Sequence, residues 1–103
     1  MKVMEGYLNA IKQGLFNGQV RVSKHAQERL RKRGYSKKDI VIAIMKGTIT
    51  EEQERKGHVR YVIESIDSYN DPIVVVFTKG EDELFHIVTV MPPHDANRFH
   101  QLI

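Results

Sequence analysis

Residues 72–79 read PIVVVFTK, and five consecutive apolar side chains, Ile73–Phe77, fill the middle of this stretch. A strand with one solvated face shows a polar residue at every second position, whereas a strand covered on both faces is apolar throughout. Valine, isoleucine and phenylalanine also favour the pleated, buried surface of a strand. The stretch therefore predicts the central strand of a sheet, and its neighbours in the chain decide the fold class.

The residues on either side continue the strand pattern. From Thr48 onward, apolar and polar residues recur with a period of two, interrupted by turn residues near Gly57, Asn70 and Gly80. The predicted strands are 48–54, 58–66, 72–79 and 84–91. Their connections are too short for crossovers, so we expect neighbouring strands to pair antiparallel.

Upstream of the strands the period changes to that of a helix. Apolar residues recur at helical spacing over residues 3–16, which predicts an amphipathic helix. Gln19–Val22 reads as a short extended piece. Ser23 is placed as the N-cap of a helix over Lys24–Arg33, and Gly34 supplies the left-handed residue that ends one.

A third helix is predicted over Ile40–Met45, between a capping box at Ser36–Asp39 and a stop at Gly47. The β-branched content of Ile40–Met45 leaves a strand possible, but the two end signals favour a helix. Helices followed by an antiparallel sheet indicate an α+β domain, with the helices packed on a four-stranded antiparallel sheet.

The chain has 103 residues and no cysteine, which fits one domain over residues 1–103 and excludes disulfides and thiolate zinc sites. We divide it into an N-terminal helix (1–18), a core (19–92) and a C-terminal tail or short helix (93–103). No apolar run approaches the ~18 residues of a membrane span. The first residues also lack the apolar core of a signal peptide. We therefore expect a cytoplasmic protein without membrane contact.

Charge is distributed unevenly along the chain. Residues 1–38 carry ten Lys or Arg and two acids, whereas residues 39–103 carry six Lys or Arg and eleven acids. Eight of the basic residues and one acid, Glu28, fall within residues 21–38. A basic face on an otherwise acidic body attracts polyanions, of which nucleic acid is the commonest, although such a face can also be merely solvated.

The predicted helix Lys24–Arg33 is weakly anchored. Only Ala26 and Leu30 form its apolar stripe, and His25, Arg29 and Arg33 lie one turn apart along the border of that stripe. Neighbours at this spacing are roughly 6 Å apart, which is close enough to act on one ligand.

Two interpretations of this row stay open. In the structural one, Arg29 and Arg33 are tied to Glu64 or to another acid on the sheet. In the functional one, the two guanidiniums bind a phosphodiester, and His25 acts as an acid–base group. The helix dipole and the neighbouring cations favour its neutral ring. RNA cleavage needs little more, because the attacking 2′-hydroxyl belongs to the substrate.

The pattern S-x-H-A-x-x-R-x-x-x-R-G-Y-S-x-x-D-I, followed by Gly-Thr-Ile-Thr and a closing strand I-V-T-V, resembles the domain-of-unknown-function family 4258 over roughly residues 20–92. The resemblance implies kinship with RelE-like toxins and barnase- or colicin-type ribonucleases. It further implies a helix pair on a four-stranded antiparallel sheet and metal-independent RNA cleavage, or a degenerate relative of that activity. The positions that match the polar motif of the family are His25, Arg29, Arg33 and Thr89.

Three functions therefore compete. The first is a toxin-type endoribonuclease that acts on RNA without a cofactor and is neutralised by an antitoxin-like partner protein. The second is a non-catalytic module that binds nucleic acid or protein through the same helix, and the third is a domain whose arginines only stabilise it. The residues expected to contact nucleic acid are Lys24, Arg31, Lys32, Lys37 and Lys38. His94, Asp95 and His100 lack the spacing of metal ligands, so no metal site is predicted.

Overall fold

The computed structural model describes residues 2–93, with the side chains of residues 5–93. The elements are α1 Lys2–Phe16, β1 Val20–Val22, α2 Lys24–Arg33, α3 Lys37–Lys46, β2 Thr48–Arg55, β3 His58–Ile66, β4 Pro72–Lys79 and β5 Phe85–Met91. The α+β class is confirmed: α2 has the predicted bounds, and the four long strands begin and end within one residue of theirs. The final helical turns expected over residues 95–102 lie outside the described residues.

The prediction of four antiparallel strands is wrong in two respects. The sheet has five strands in the order β1-β5-β4-β3-β2, and it is mixed. The predicted extended piece Gln19–Val22 is strand β1 in the structure. It pairs with β5 in parallel through Val20↔Phe85 and Val22↔Ile87. The other three pairings are antiparallel, as expected. Without β1, β5 would be the edge strand of the sheet. β1 pairs with that edge and so satisfies backbone groups of β5 that would otherwise lack partners.

All three helices pack on one face of the sheet. Their buried residues, among them Ile11, Leu30 and Ile44, join one core with Ile63, Val75, Phe77 and other residues of the strands. A smaller apolar cluster of Val62, Val74 and Val76 lies on the opposite face. β4 thus contributes to both clusters, which confirms the interpretation of its apolar run. Within residues 2–93, no helix combines the length and apolar character needed to cross a membrane.

The junction between α3 and β2 depends on a close approach at Gly47. A Cβ atom there would lie 2.6 Å from Ile63 Cγ2, 2.7 Å from the Ala43 carbonyl oxygen and 2.7 Å from Ser65 Cβ. The backbone of Gly47 is extended, with φ −91°, so lack of space and not a left-handed conformation requires glycine here. The predicted stop at Gly47 is therefore correct, for a reason that only the packing shows.

Candidate nucleic-acid interface

The start of α2 is attached to the sheet through its N-cap. The hydroxyl of Ser23 accepts a hydrogen bond from the Ala26 amide at 3.0 Å and lies 3.4 Å from the Val88 carbonyl oxygen. The Ser23 amide also donates to the Ile87 carbonyl at 3.1 Å. At the other end Gly34 adopts a left-handed conformation with φ 74°. Because Ala26 and Leu30 are the buried residues of α2, its remaining surface is available to a ligand.

His25 and Arg29 are adjacent on this surface. Arg29 Nε donates a hydrogen bond to His25 Nε2 at 3.4 Å. His25 is exposed and Arg29 is half-buried. The geometry places an imidazole nitrogen next to a guanidinium whose terminal nitrogens have no acidic partner among residues 5–93.

Arg33 belongs to a different environment. It is half-buried, and its Nε is buried without a hydrogen-bond partner among the described residues. It lines a cavity of about 460 Å³ together with Tyr35, Asp39 and Asp67, at the end of the sheet where β3 connects to β4. Burial and the nearby carboxylates, that of Asp67 foremost, raise the pKa of the Tyr35 hydroxyl, while the Arg33 guanidinium opposes them. Arg33 thus shares this cavity with acids, although it forms no ion pair with them among residues 5–93.

The expected partner Glu64 plays no part in this cavity. Its carboxylate accepts a hydrogen bond from Thr50 Oγ1 at 2.7 Å. Glu64 pairs with Val74 across the sheet, and Val74 belongs to the apolar cluster on the face opposite the helices. The part of the structural interpretation that tied Arg29 and Arg33 to Glu64 is therefore wrong, whereas its alternative, another acid, stays a prediction.

Thr89 does not lie on the helix side of the sheet. Val75 and Val90 are cross-strand partners buried in the main core, whereas Thr89 pairs with Val76 of the opposite cluster. A register shift between Val76 and Phe77 interrupts the alternation of β5. The structure thus brings His25 and Arg29 together and places Thr89 on the other face.

The five residues expected to contact nucleic acid are all exposed: Lys24, Arg31, Lys32, Lys37 and Lys38. Among residues 5–93 the ion pairs are Lys79–Glu83 and His86–Asp82, and none involves α2 or α3. We call Lys24, His25, Arg29, Arg31, Lys32, Lys37 and Lys38 the α2 face. Arg31 and Lys32 lie in the last turn of α2, where the helix dipole stabilises cations, so their position there also has a structural explanation.

Lys37 and Lys38 are opposed by the helix dipole because they begin α3. Asp39 compensates by forming the predicted capping box with Ser36. Burial alone would raise the pKa of the Asp39 carboxyl, but hydrogen bonds from Ser68 and Ser36 outweigh it and lower that pKa below its usual value. The sequence predicted the box but did not indicate that the same carboxylate binds Ser68, 29 positions away.

The sequence analysis missed a second group of cations around the β2–β3 hairpin. Arg55, Lys56, His58 and Arg60 fall within six residues, and they line one cleft. That local density was a usable signal. The acids Glu51, Glu52 and Glu54 just before it, however, offset these cations in the net charge of the C-terminal half. Among the residues with described side chains, no three His, Asp or Glu converge to hold a metal ion. His94, Asp95 and His100 lie outside them.

A search of curated proteins and a search of solved structures found no match. The model of one protein family matches residues 22–92, which is more than half of the chain and extends from the end of β1 through β5. The matched range includes the whole of α2 and the His25–Arg29 pair. The chain therefore belongs to the family described as "Domain of unknown function (DUF4258)".

Proposed function

We propose that this protein binds RNA through the α2 face. One observation supports this most directly: the cations of that face are exposed or half-exposed and form no ion pair within residues 5–93. Glu28 is the one acid within α2. Unpaired cations on one surface attract the phosphate backbone and gain affinity by releasing its counterions.

RNA cleavage is the second candidate, and the His25–Arg29 hydrogen bond favours it. In this candidate the His25 ring accepts the proton of a 2′-hydroxyl at Nε2, the 2′-oxygen attacks the phosphorus, and the 5′-oxygen leaves and takes up a proton from water. Arg29 gives up its bond to His25 and binds the phosphate oxygens. The products carry a 2′,3′-cyclic phosphate and a 5′-hydroxyl. The kinship with RelE-like toxins and barnase-type ribonucleases that the family resemblance implies supports this candidate.

Three features make binding the better-supported function. Thr89 lies on the other face of the sheet, and Arg33 lines a cavity together with acids. Cleavage also needs a group that protonates the leaving 5′-oxygen, and α2 offers only lysines, arginines and Glu28 besides His25. In a toxin-type system an antitoxin-like partner would cover the α2 face with acidic side chains. A cytoplasmic location, where RNA and such a partner meet, is part of the same proposal.

Binding is tested with labelled single-stranded RNA at low salt, followed by fluorescence anisotropy. Arg29→Gln/Arg31→Gln should weaken binding several-fold to about tenfold, since exposed ion pairs contribute about 0.2–1 kcal/mol each. Lys12→Gln/Lys46→Gln is the matched control, because it removes two charges from α1 and α3 at residues that do not belong to the α2 face. An equal loss in both double variants would show that only net charge matters, and the proposed interface would be wrong.

Cleavage is tested separately with the same RNA, in the presence and absence of EDTA. His25→Ala should lower the rate about 10²–10⁴-fold, as is typical for loss of an acid–base group, while RNA affinity changes little. The cyclic phosphate on the products is the second readout. A wild-type protein that binds RNA and cleaves none would end the cleavage candidate and leave the binding function in place.

A further inference from the structure

A second basic site lies on the other side of the sheet. The β2–β3 and β4–β5 hairpins meet there around a cleft of about 650 Å³, a volume typical of sites for small molecules. Arg60 precedes Val62 by two positions on β3 and therefore shares its face, opposite the helices. The α2 face lies on the helix side, so the cleft is independent of the proposed RNA interface.

The charges around the cleft are mostly uncompensated. Arg55, Lys56 and Arg60 have no ion pair among residues 5–93, and His58 lies beside them. Among residues 5–93, Glu81 is the one acid that lines the cleft. Lys79 also lines it, but its ammonium lies 3.5 Å from Glu83 and 5.6 Å from the centre of the Phe85 ring. We call Arg55, Lys56, His58 and Arg60 the cleft cations.

Acids near the far rim are occupied elsewhere. The Asp82 carboxylate lies 3.0 Å from His86 Nε2 and accepts a hydrogen bond from the Leu84 amide. Hydrogen bonds from the Leu84 amide and His86 lower the pKa of the Asp82 carboxyl. A Cβ atom at Gly80 would come within 2.6 Å of Asp82 Oδ1, so this wall of the cleft stays free of a side chain.

The turn of the β2–β3 hairpin adds an independent observation. Arg55 and His58 pair across it, and Lys56 and Gly57 both have positive φ, at 52° and 81°, the combination of a type I′ turn. Asparagine or glycine is preferred at the first of these positions, because a lysine Cβ is crowded in the left-handed region. The hairpin thus holds a cation at the rim of the cleft in a conformation that disfavours lysine.

We propose that the cleft binds the phosphate groups of a nucleotide-sized ligand. Several cations around one concave site suit a ligand that carries several negative charges, and guanidiniums pair bidentately with phosphate oxygens. The hydroxyl of Thr78 is committed to the Val59 carbonyl at 2.6 Å, so the charged groups supply the donors. No Phe, Tyr or Trp ring among residues 5–93 lines the cleft. Affinity therefore follows the number of phosphates and not the identity of a base.

The test uses inorganic triphosphate and isothermal titration calorimetry at low salt. Arg55→Gln/Arg60→Gln should weaken triphosphate binding at least tenfold, whereas Lys12→Gln/Lys46→Gln, with the same change in charge, should not. ATP and GTP should bind equally well, and AMP more weakly. No binding by the wild-type protein would overturn the proposal. Equal losses in the two double variants would also overturn it, and so would a loss caused by Arg29→Gln/Arg31→Gln on the α2 face.

Lys56→Asn separates binding from folding. Asparagine suits the left-handed position, so the melting temperature should stay the same or rise, while triphosphate affinity falls. Affinity that survives both this variant and Arg55→Gln/Arg60→Gln would overturn the proposal.

A 5′-triphosphorylated RNA and its 5′-hydroxyl counterpart then distinguish the two sources of phosphate. Preference for the former identifies an RNA end as ligand, and equal binding of both RNAs, with ATP still bound, identifies a free nucleotide.

Discussion

At the scale of single residues, the Asp39 carboxylate accepts more hydrogen bonds than any other carboxylate that the structure describes. It is 3% exposed, and its carboxylate accepts hydrogen bonds from the Ser36 amide at 2.8 Å and the Ser68 amide at 2.9 Å. The Ser68 hydroxyl donates to it as well. One side chain thus caps α3 and ties that helix to the connection between β3 and β4. A buried carboxylate is stable only with such donors, because desolvation disfavours its charge.

Asp39→Asn should lower the free energy of unfolding by about 1–3 kcal/mol at pH 7, since an amide group placed against the Ser36 amide leaves a buried donor unpaired. Asp71→Asn is the matched control, because Asp71 is exposed and uses its backbone amide, not its carboxylate, to bind Asp67. Urea unfolding of both variants measures the difference. If the two variants lose equal stability, the assigned role of Asp39 is wrong.

The same carboxylate predicts a pH dependence. Its pKa is lowered from the ordinary value of 3.8, so its contribution to stability is complete above about pH 4 and is lost as the pH falls through the folded-state pKa. The difference in stability between wild type and Asp39→Asn should therefore narrow below pH 4. Thermal melts from pH 7 to pH 2 test this, and a difference that stays constant to pH 2 would contradict it.

At the scale of elements, local signals were sufficient where the structure is local. α2 could be predicted residue for residue because its ends depend on the Ser23 cap and the left-handed Gly34, both adjacent to the helix. β1 could not, because three residues are too few to show an alternation and its pairing joins Val22 to Ile87, far along the chain. The side of the sheet on which Thr89 lies could not be predicted for a similar reason, since the register shift in β5 depends on its partner β4.

Ser23→Ala should lower the free energy of unfolding by about 1 kcal/mol, because the Ala26 amide loses its capping acceptor. It should also weaken RNA binding, since the cap fixes the start of the α2 face against β5. Ser65→Ala makes the same chemical change at a hydroxyl that is buried without a partner among the described residues, and should be neutral or stabilising. Thermal unfolding compares them, and a larger loss for Ser65→Ala would show that the cap does not anchor α2.

At the scale of the whole molecule, the charge is arranged as two separate basic surfaces around a partly acidic body. The α2 face was predictable because its cations fall within one short stretch, residues 24–38. The cleft cations were not recognised, because two hairpins form the cleft and acids precede the cations in the chain. The two surfaces differ in shape: the α2 face is convex, as the exterior of a helix is, and suits an extended backbone, whereas the cleft is concave and suits a compact anion.

This difference predicts how RNA binding responds to salt. The logarithm of the association constant should fall linearly with the logarithm of the salt concentration, by about 0.7 for each phosphate contacted in a single strand. Arg29→Gln/Arg31→Gln should make the slope shallower by about 1–2, because a protein with two fewer cations displaces fewer counterions from the RNA. A 5′-hydroxyl RNA contacts the α2 face without a terminal phosphate, so Arg55→Gln/Arg60→Gln should leave the slope of this RNA unchanged. Anisotropy titrations from 50 to about 300 mM salt provide the slopes. A wild-type slope near zero would remove nucleic acid as the ligand of the α2 face, whereas equal changes in the two double variants would mean that one strand spans both surfaces.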